Sequence, residues 1–303
     1  GTLVNRGFGG GMLNSSSSPS VNNCTFWGNR ASNGGGMYNS SSSSSINNST
    51  FSNNIATNGA GIHNASSSPT IGFSRFLSNN AQSGGGMFNG SSSSPAINNS
   101  LFSGNNASNL GGGMYNTNSS AIINSSTFSA NSAPNSNGQA IHSTTSSTVE
   151  IQINNSIIWK DAGFAGNDNL KESLGKYVLN NCILQYPGTG YNINGSYQNL
   201  DPKFTNAKGT DNTFGTDDDD LTLTSISPAI GAGDNSLYIG DIHTDKDLNG
   251  SLRLIGSAID IGAYESSYLF ATMPDANGVV YVKKESTGND SSWSNAMGEF
   301  PVA

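Results

Sequence analysis

The sequence predicts an all-β fold, a right-handed parallel β-helix built from coils of about 25 residues with three short strands each. Two motifs recur at the length of one coil, and asparagines recur with the same spacing. We expect about seven such coils over residues 1–199, stacked around one continuous apolar core.

The first motif is a glycine-rich run followed by a large apolar residue. It reads Gly-Gly-Gly-Met-Leu-Asn up to Asn14 and Gly-Gly-Gly-Met-Tyr-Asn up to Asn39. Clusters of Gly, Asn and Ser between short alternating segments favour strands and turns over helices. The apolar position recurs with steps of 25, 25, 25, 27 and 27 residues, at Met12, Met37, Ile62, Met87, Met114 and Ile141.

The second motif places an apolar residue five positions before a phenylalanine, as in Ile46 and Phe51. Together with Met37 of the first motif, these side chains are expected to point inward, and so is Ser49. Each large apolar group contributes roughly 1.5–3 kcal/mol when fully buried, which is enough to hold a solenoid together. The aromatic recurs at Phe26, Phe51, Phe76, Phe102 and Phe128.

Asparagine suits the turns, because it tolerates left-handed backbone and its stacked amides can hydrogen-bond along the axis. Cys24 and Cys182 occupy a small-residue position of the second motif and are expected to be buried. They should lie about 30 Å apart, beyond disulfide reach, so two free thiols are predicted. The asparagine columns are Asn29, Asn54, Asn79, Asn105 and Asn131, and Asn23, Asn48, Asn99, Asn155 and Asn181.

Charge is distributed very unevenly along the chain. The formal net charge is −8, yet residues 1–149 contain no Asp, Glu or Lys and only three arginines, Arg6, Arg30 and Arg75. With no basic stripe to displace counterions from phosphates, a nucleic-acid partner is not expected. No run of 18 apolar residues occurs, so no membrane-spanning segment is predicted either.

The repeats resemble those of polymorphic outer-membrane proteins and related pectin-lyase-like surface β-helices of bacteria. Five copies of a Phe-x-x-Asn motif carry this likeness, at 26–29, 51–54, 76–79, 102–105 and 128–131. The resemblance implies a secreted or cell-surface protein of a Gram-negative bacterium, an adhesin or display scaffold. It names no ligand.

The acidic part resembles the segment that closes such helices in bacterial proteins with a choice-of-anchor Q domain. Residues 201–204, 227–233 and 260–265 carry this second likeness, and we assign 200–268 to such a segment. Residues 269–303 look like a linker and the start of a following β-helix unit, so we expect the chain to be part of a longer tandem-repeat polypeptide. Residues 160–177 interrupt the coil pattern and suggest a loop or short helix.

One column of residues is a candidate ligand-binding strip. It follows the inward apolar residue of the first motif, so strand alternation points it outward. Stacked rings of this kind could receive sugar rings, but the favoured interpretation is that they cover loops or stabilise one another as a ladder. The candidates are Tyr38, His63, Phe88, Tyr115 and His142, with Trp27 on a neighbouring face.

A candidate calcium loop lies in the acidic part. Asp245, Asp247 and Asn249, followed by Gly250, resemble the first half of a calcium-binding loop, but Gly256 stands where the final Glu is expected. An Asx-rich turn is the alternative reading. The run at 217–220 could be a second cation site or a solvated acidic loop.

Three functions remain open at this point. A non-enzymatic adhesin or display segment is favoured, with glycans or another surface protein as partner, because the first 149 residues offer no carboxylate for acid–base chemistry. A polysaccharide lyase or glycoside hydrolase with its site in the acidic region is the second. A purely structural stalk or spacer is the third.

Overall fold

A computed structural model describes residues 7–134, 137–144, 149–160, 169–172, 176–185 and 193–267. Within these ranges the chain is nearly all β and forms a parallel β-helix of about six turns, which confirms the predicted fold class. Most of the predicted interruption at 160–177 and all of the segment at 269–303 lie outside the described residues.

The coils build three parallel sheets, which we name after their inward residues. The Met sheet contains β1 (Met12–Ser15), β4 (Met37–Ser40), β8 (Ile62–Ala65), β12 (Met87–Gly90), β16 (Met114–Thr117), β19 (Ile141–Thr144) and β22 (Leu170–Glu172). The Ile sheet contains β2 (Ser20–Asn22), β5 (Ser45–Asn47), β9 (Thr70–Gly72), β13 (Ala96–Asn98), β17 (Ala121–Asn124) and β20 (Glu150–Asn154). The Phe sheet contains β3 (Thr25–Trp27), β6 (Thr50–Ser52), β10 (Arg75–Leu77), β14 (Leu101–Ser103), β18 (Thr127–Ser129) and β21 (Ile157–Trp159).

Two further features complete the coils. The long strand β23 (Lys176–Leu184) joins the Ile and Phe sheets and pairs with β24 (Ile193–Gln198). Three successive coils carry a fourth short strand, which the three-strand pattern did not predict. It forms because the residues after the Asn54 column extend and pair between coils, as β7 (Ile55–Asn58), β11 (Asn80–Ser83) and β15 (Asn106–Leu110).

The core has the predicted register. Phe51 pairs with Phe26 on one side and Phe76 on the other, with ring centroids 4.7 and 5.0 Å apart. Met37, Ile46 and Phe51 are fully buried. Offset stacking of aromatic rings adds stabilisation beyond the burial of their area.

The glycine runs are explained by close approach to the next coil. A Cβ on Gly36 would lie 2.6 Å from the carbonyl oxygen of Gly61 and 2.8 Å from Cδ1 of Phe51. A side chain at this position would push the phenylalanine out of its stack. The two sequence motifs are therefore coupled within each coil.

Asparagine side chains form axial ladders in several columns. In the Asn29 column, Asn54 Nδ2 donates to Asn79 Oδ1 at 2.9 Å and to the carbonyl oxygen of Phe26 at 2.8 Å. A second ladder, not predicted from the sequence, runs along the Met sheet with amide–amide distances of 2.8–2.9 Å. Its members are Asn14, Asn39, Asn64, Asn89 and Asn116.

The other asparagine column occupies the predicted left-handed turns. Asn48 has a φ of 47°, and the two exceptions in this column, Phe73 and Ser125, adopt φ values of 50° and 45°. The repeat therefore imposes this backbone geometry even on a residue that disfavours it. The remaining members, Asn23, Asn99, Asn155 and Asn181, also have positive φ.

The two cysteines are free, as predicted, but only one is buried. Cys182 lies inside the stack, and burial raises the pKa of its thiol to about 12. The prediction that Cys24 is buried is wrong. Cys24 lies between β2 and β3 in the first described coil, so no preceding coil of the described residues covers it, whereas the equivalent Ser49 is covered by its neighbours.

The acidic segment folds back along the outside of the coils. It contains the antiparallel pair β25 (Phe204–Asn206) and β26 (Asp220–Leu223) and one 3-10 turn (Asn235–Leu237). Several outward residues of the Phe sheet that this segment covers are apolar. Two clusters form the interface: Leu77 and Leu101 with Leu221, Leu248 and Tyr264, and Ile157 and Ile183 with Leu223, Ile230 and Ile261.

Backbone and side-chain hydrogen bonds fix the position of this segment. Ala263 N donates to Thr127 Oγ1 at 3.0 Å, and Asp234 N donates to Asn155 Oδ1 at 2.9 Å. The segment therefore runs beside several coils rather than on top of the last one. The described residues include no helix that is long and apolar enough to cross a membrane.

Candidate functional site

The predicted ring column on the Met sheet is a continuous stack. The ring centroids of Tyr38 and His63 are 4.9 Å apart, and those of His63 and Phe88 are 4.5 Å apart. Tyr115 and His142 continue the stack with edge-on contacts at 5.2 and 5.6 Å. His63 and Phe88 therefore cover each other's ring faces. A sugar ring would need such a face to be free.

Both histidines of this column are buried. Loss of water contact lowers the pKa of His63 to about 4 and also lowers the pKa of His142. Each imidazole is therefore neutral at pH 7. His142 Nδ1 lies 3.0 Å from the carbonyl oxygen of Asn137, which holds the ring in place.

Trp27 differs from the column in both place and exposure. It lies in β3 of the Phe sheet, directly after the inward Phe26, and its outward side chain is 69% exposed. Trp159 occupies the equivalent position three strands beyond Leu77, but there it packs against the acidic segment. Trp27 is thus an aromatic side chain with a free face.

The candidate calcium residues hold a turn. Asp247 is buried, and its carboxylate accepts hydrogen bonds from the backbone N–H of Asn249, Ser251 and Glu265 at 2.8–2.9 Å. Asp245 accepts from Asp241 N at 2.9 Å. In the part of the chain that the structure describes, no three His, Cys, Asp or Glu side chains are grouped to hold a metal ion.

A buried charged cluster lies next to this turn and surrounds Arg253, which is fully buried. Its guanidinium donates to the carbonyl oxygens of Asp260 and Gly262 at 2.8 and 2.9 Å, and Nη1 lies 3.5 Å from Glu265 Oε2. The buried carboxylates of Asp260 and Glu265 thus share one guanidinium, and the buried Asp247 lies near Asp260. Full ionisation would leave excess negative charge in a dry environment.

Burial shifts two of these carboxyl groups, those of Asp260 and Glu265, toward the protonated form. Burial and the nearby Asp260 raise the pKa of Glu265 to about 8. Burial raises the pKa of Asp260 to about 6. Glu265 consequently keeps its proton into the neutral range.

A cleft of about 330 Å³ opens where the acidic segment meets the coils. Thr50, Arg75 and Leu101 of the Phe sheet form one wall. The other wall is acidic, with Asp217, Asp219, Asp220 and Asn249 beside Tyr264.

The side chains of the cleft are held in place by hydrogen bonds. Arg75 Nη2 donates to the carbonyl oxygen of Leu248 at 2.9 Å. Asp219 accepts from Gly215 N at 2.6 Å and from Ser103 Oγ at 3.3 Å. Burial against the coils raises the pKa of Asp219.

The sequence alone predicted neither the cleft nor the position of Arg75 in its wall. One feature of the sequence does mark Arg75 as unusual. Arg75 precedes the inward Phe76, where neighbouring coils carry Thr25, Thr50 and Leu101. A single charged residue in an otherwise uncharged column indicates that this position contacts a polar partner outside the coils. Which part of the acidic segment it meets depends on a tertiary interface that no repeat pattern reveals.

The chain matches no protein-family model, no curated protein and no solved structure at a significant level.

Proposed function

We propose that this chain is a non-enzymatic β-helical segment of a secreted or cell-surface adhesin or stalk, which displays its outer faces along a rigid rod. The resemblance of its repeats to pectin-lyase-like surface β-helices with polymorphic outer-membrane-protein-like repeats supports an extracellular location in a Gram-negative bacterium. The resemblance of residues 200–268 to a choice-of-anchor Q segment supports surface attachment. Glycans or another surface protein are the partners of such a module.

One observation carries this proposal: the buried polar groups of the coils are used for stacking. The Asn54 column and the Asn39 column bond along the axis, and Ser49 accepts from the backbone N–H of Cys24 while Ser74 accepts from that of Ser49. Polar side chains that bond to the next coil stiffen the rod and are not placed for chemistry. The outer positions of the first 149 residues carry mainly Ser, Asn and Thr.

Surface labelling tests the location. We expect an antibody raised against the chain to label intact cells that make the protein, and external protease to remove the label. Labelling that appears only after the cells are permeabilised would contradict the proposal. A periplasmic protein of the same cells serves as the control for envelope integrity.

A polysaccharide-active enzyme is the second candidate, and the cleft favours it. Asp219 has a raised pKa and lies beside further carboxylates, an arrangement that acid–base catalysis uses. Release of oligosaccharides from a panel of plant and bacterial polysaccharides, lost in Asp219→Asn, would establish this function. No release by the unmodified chain supports the display function.

A further inference from the structure

Trp27 lies on the Phe sheet two strands from the cleft wall at Leu77, with the buried Ser52 between them. Trp27 pairs with Ser52, and Ser52 pairs with Leu77, which lines the cleft. Thr50, on the same strand and the same side as Ser52, also lines it. Because parallel strands lie about 4.8 Å apart, the backbone at Trp27 is about 10 Å from the cleft wall at Leu77. The indole and the cleft therefore lie on the same face of the Phe sheet, and the half-buried Thr50 is at the near edge of the cleft.

The acidic segment explains why this surface stays open at one end. Its apolar contacts begin at Leu77, in the third strand of the Phe sheet, and continue toward Ile183. Among the described residues, nothing packs over Trp27 in the same way, and its side chain is 69% exposed. The boundary between the covered and the uncovered parts of the sheet coincides with the cleft.

The chemistry of this surface fits a neutral sugar chain. The apolar C–H face of a pyranose packs on an exposed indole, and its hydroxyl groups need donors and acceptors at short range. Asp217 supplies acceptors, and Asn249 supplies both an acceptor and donors. The distance of about 10 Å between the backbones at Trp27 and Leu77 is about the length of a disaccharide.

Charge selects among sugars. Three aspartates and one arginine line the cleft, and Arg75 already donates to the carbonyl oxygen of Leu248. A uronate or a phosphorylated sugar would meet net negative charge and lose its hydration without a free cationic partner. Anionic glycans are therefore disfavoured.

We propose that Trp27 and the cleft lined by Thr50, Asp217 and Asn249 form one binding site for a neutral glycan of three or more sugar units. The site rests on the proposed display function and gives it a ligand class. Trp27 binds one sugar ring by stacking, and the cleft binds the hydroxyl groups of a ring two positions along the chain. No bond is made or broken.

Titration of the purified full chain tests the site, with chitotriose, cellotriose, maltotriose and α-mannotriose as probes. We expect at least one trisaccharide to bind saturably, with a change in tryptophan fluorescence. Trp27→Ala should weaken this binding by tenfold or more, because the stacking surface is lost. Asp217→Asn, at an exposed side chain, should weaken it by a smaller factor and keep the fold.

The control is Leu13→Ala, which removes an exposed apolar side chain from the same coil on the Met sheet. It should leave binding unchanged. Absence of trisaccharide binding, binding that survives Trp27→Ala, or stronger salt-sensitive binding of tri-lysine would overturn the proposal. If the titration shows no binding, the surface-labelling result still tests the location of the protein. If surface labelling fails, the titration still tests the glycan site. The two experiments therefore test the two proposals independently.

Discussion

At the scale of single residues, the structure shows that an outward position in a β-helix is not always an exposed one. His63 points away from the core, yet Tyr38 and Phe88 cover its ring from both sides. Removing an imidazole from water disfavours its charged form. The fold therefore depends on His63 remaining neutral.

Replacing His63 with Phe is expected to change the pH dependence of stability. The pKa of this histidine falls from 6.5 in the unfolded chain to about 4 in the fold, so its stabilising effect is complete above pH 6.5 and is lost as the pH falls toward 4. At pH 5, His63→Phe should raise the free energy of unfolding by about 1–2 kcal/mol relative to its effect at pH 8. Phe88 in the next coil shows that a phenylalanine fits this column.

Thermal unfolding of the variant and the parent chain at pH 5 and pH 8 measures this effect. Tyr38→Phe serves as the control, because it changes the same column and leaves the imidazole of His63 in place. An equal effect of His63→Phe at both pH values would contradict the prediction.

At the scale of elements, the coils depend on ladders that cross them. Asn79 is fully buried, donates to Asn105 Oδ1 and to the carbonyl oxygen of Phe51, and accepts from Asn54. A buried polar group without a partner costs about 1–3 kcal/mol. One asparagine therefore satisfies groups in the coils on both sides.

Asn79→Leu is expected to lower the free energy of unfolding by about 3–5 kcal/mol, because it leaves several buried partners unsatisfied. Asn29→Leu should cost only about 1 kcal/mol, since Asn29 is half-buried and, among the described residues, its side chain donates only to Asn54. Guanidinium denaturation followed by far-UV circular dichroism compares the two variants. Equal losses would show that the ladder does not stabilise the middle coils.

These elements mark what the sequence can and cannot predict. The recurrence of Phe51 and Asn54 predicts the stacking register, because identical positions in a solenoid lie on top of each other. The fourth strand after Asn54 and the burial of His63 were not predicted, since both depend on contacts between neighbouring coils. The cleft is harder still to predict, because Arg75 and Asp219 come from segments more than a hundred residues apart with no shared period.

At the scale of the whole molecule, the acidic segment is a second layer on the rod, held to the coils by apolar contacts and folded internally around the buried Arg253. Buried charge makes this layer sensitive to pH. A carboxyl group whose pKa is raised by folding stabilises the fold at low pH and loses that effect as the pH rises through the folded pKa. For Glu265 this window lies between 4.5 and about 8.

We expect docking of the acidic segment to weaken between pH 5.5 and pH 8, and Glu265→Gln to reduce that weakening because glutamine remains neutral. Amide hydrogen exchange at Asp260 and Ser266, corrected for the intrinsic effect of pH, measures the local stability. Asp217→Asn, which changes an exposed carboxylate of the same segment, is the matched control variant. If the acidic segment of Glu265→Gln lost as much local stability between pH 5.5 and pH 8 as that of the parent chain, Glu265 would not be the group responsible.

The turn of the acidic segment back along the coils also determines how the rod carries mechanical load. Tyr264 packs beside Leu77, so a pull between residues 7 and 267 passes through the first coils and the docked interface and bypasses the coils beyond them. When the interface gives way, residues 200–267 can extend by roughly 200 Å before tension reaches the far coils. Under such a pull, the docked interface would therefore separate before the far coils unwind.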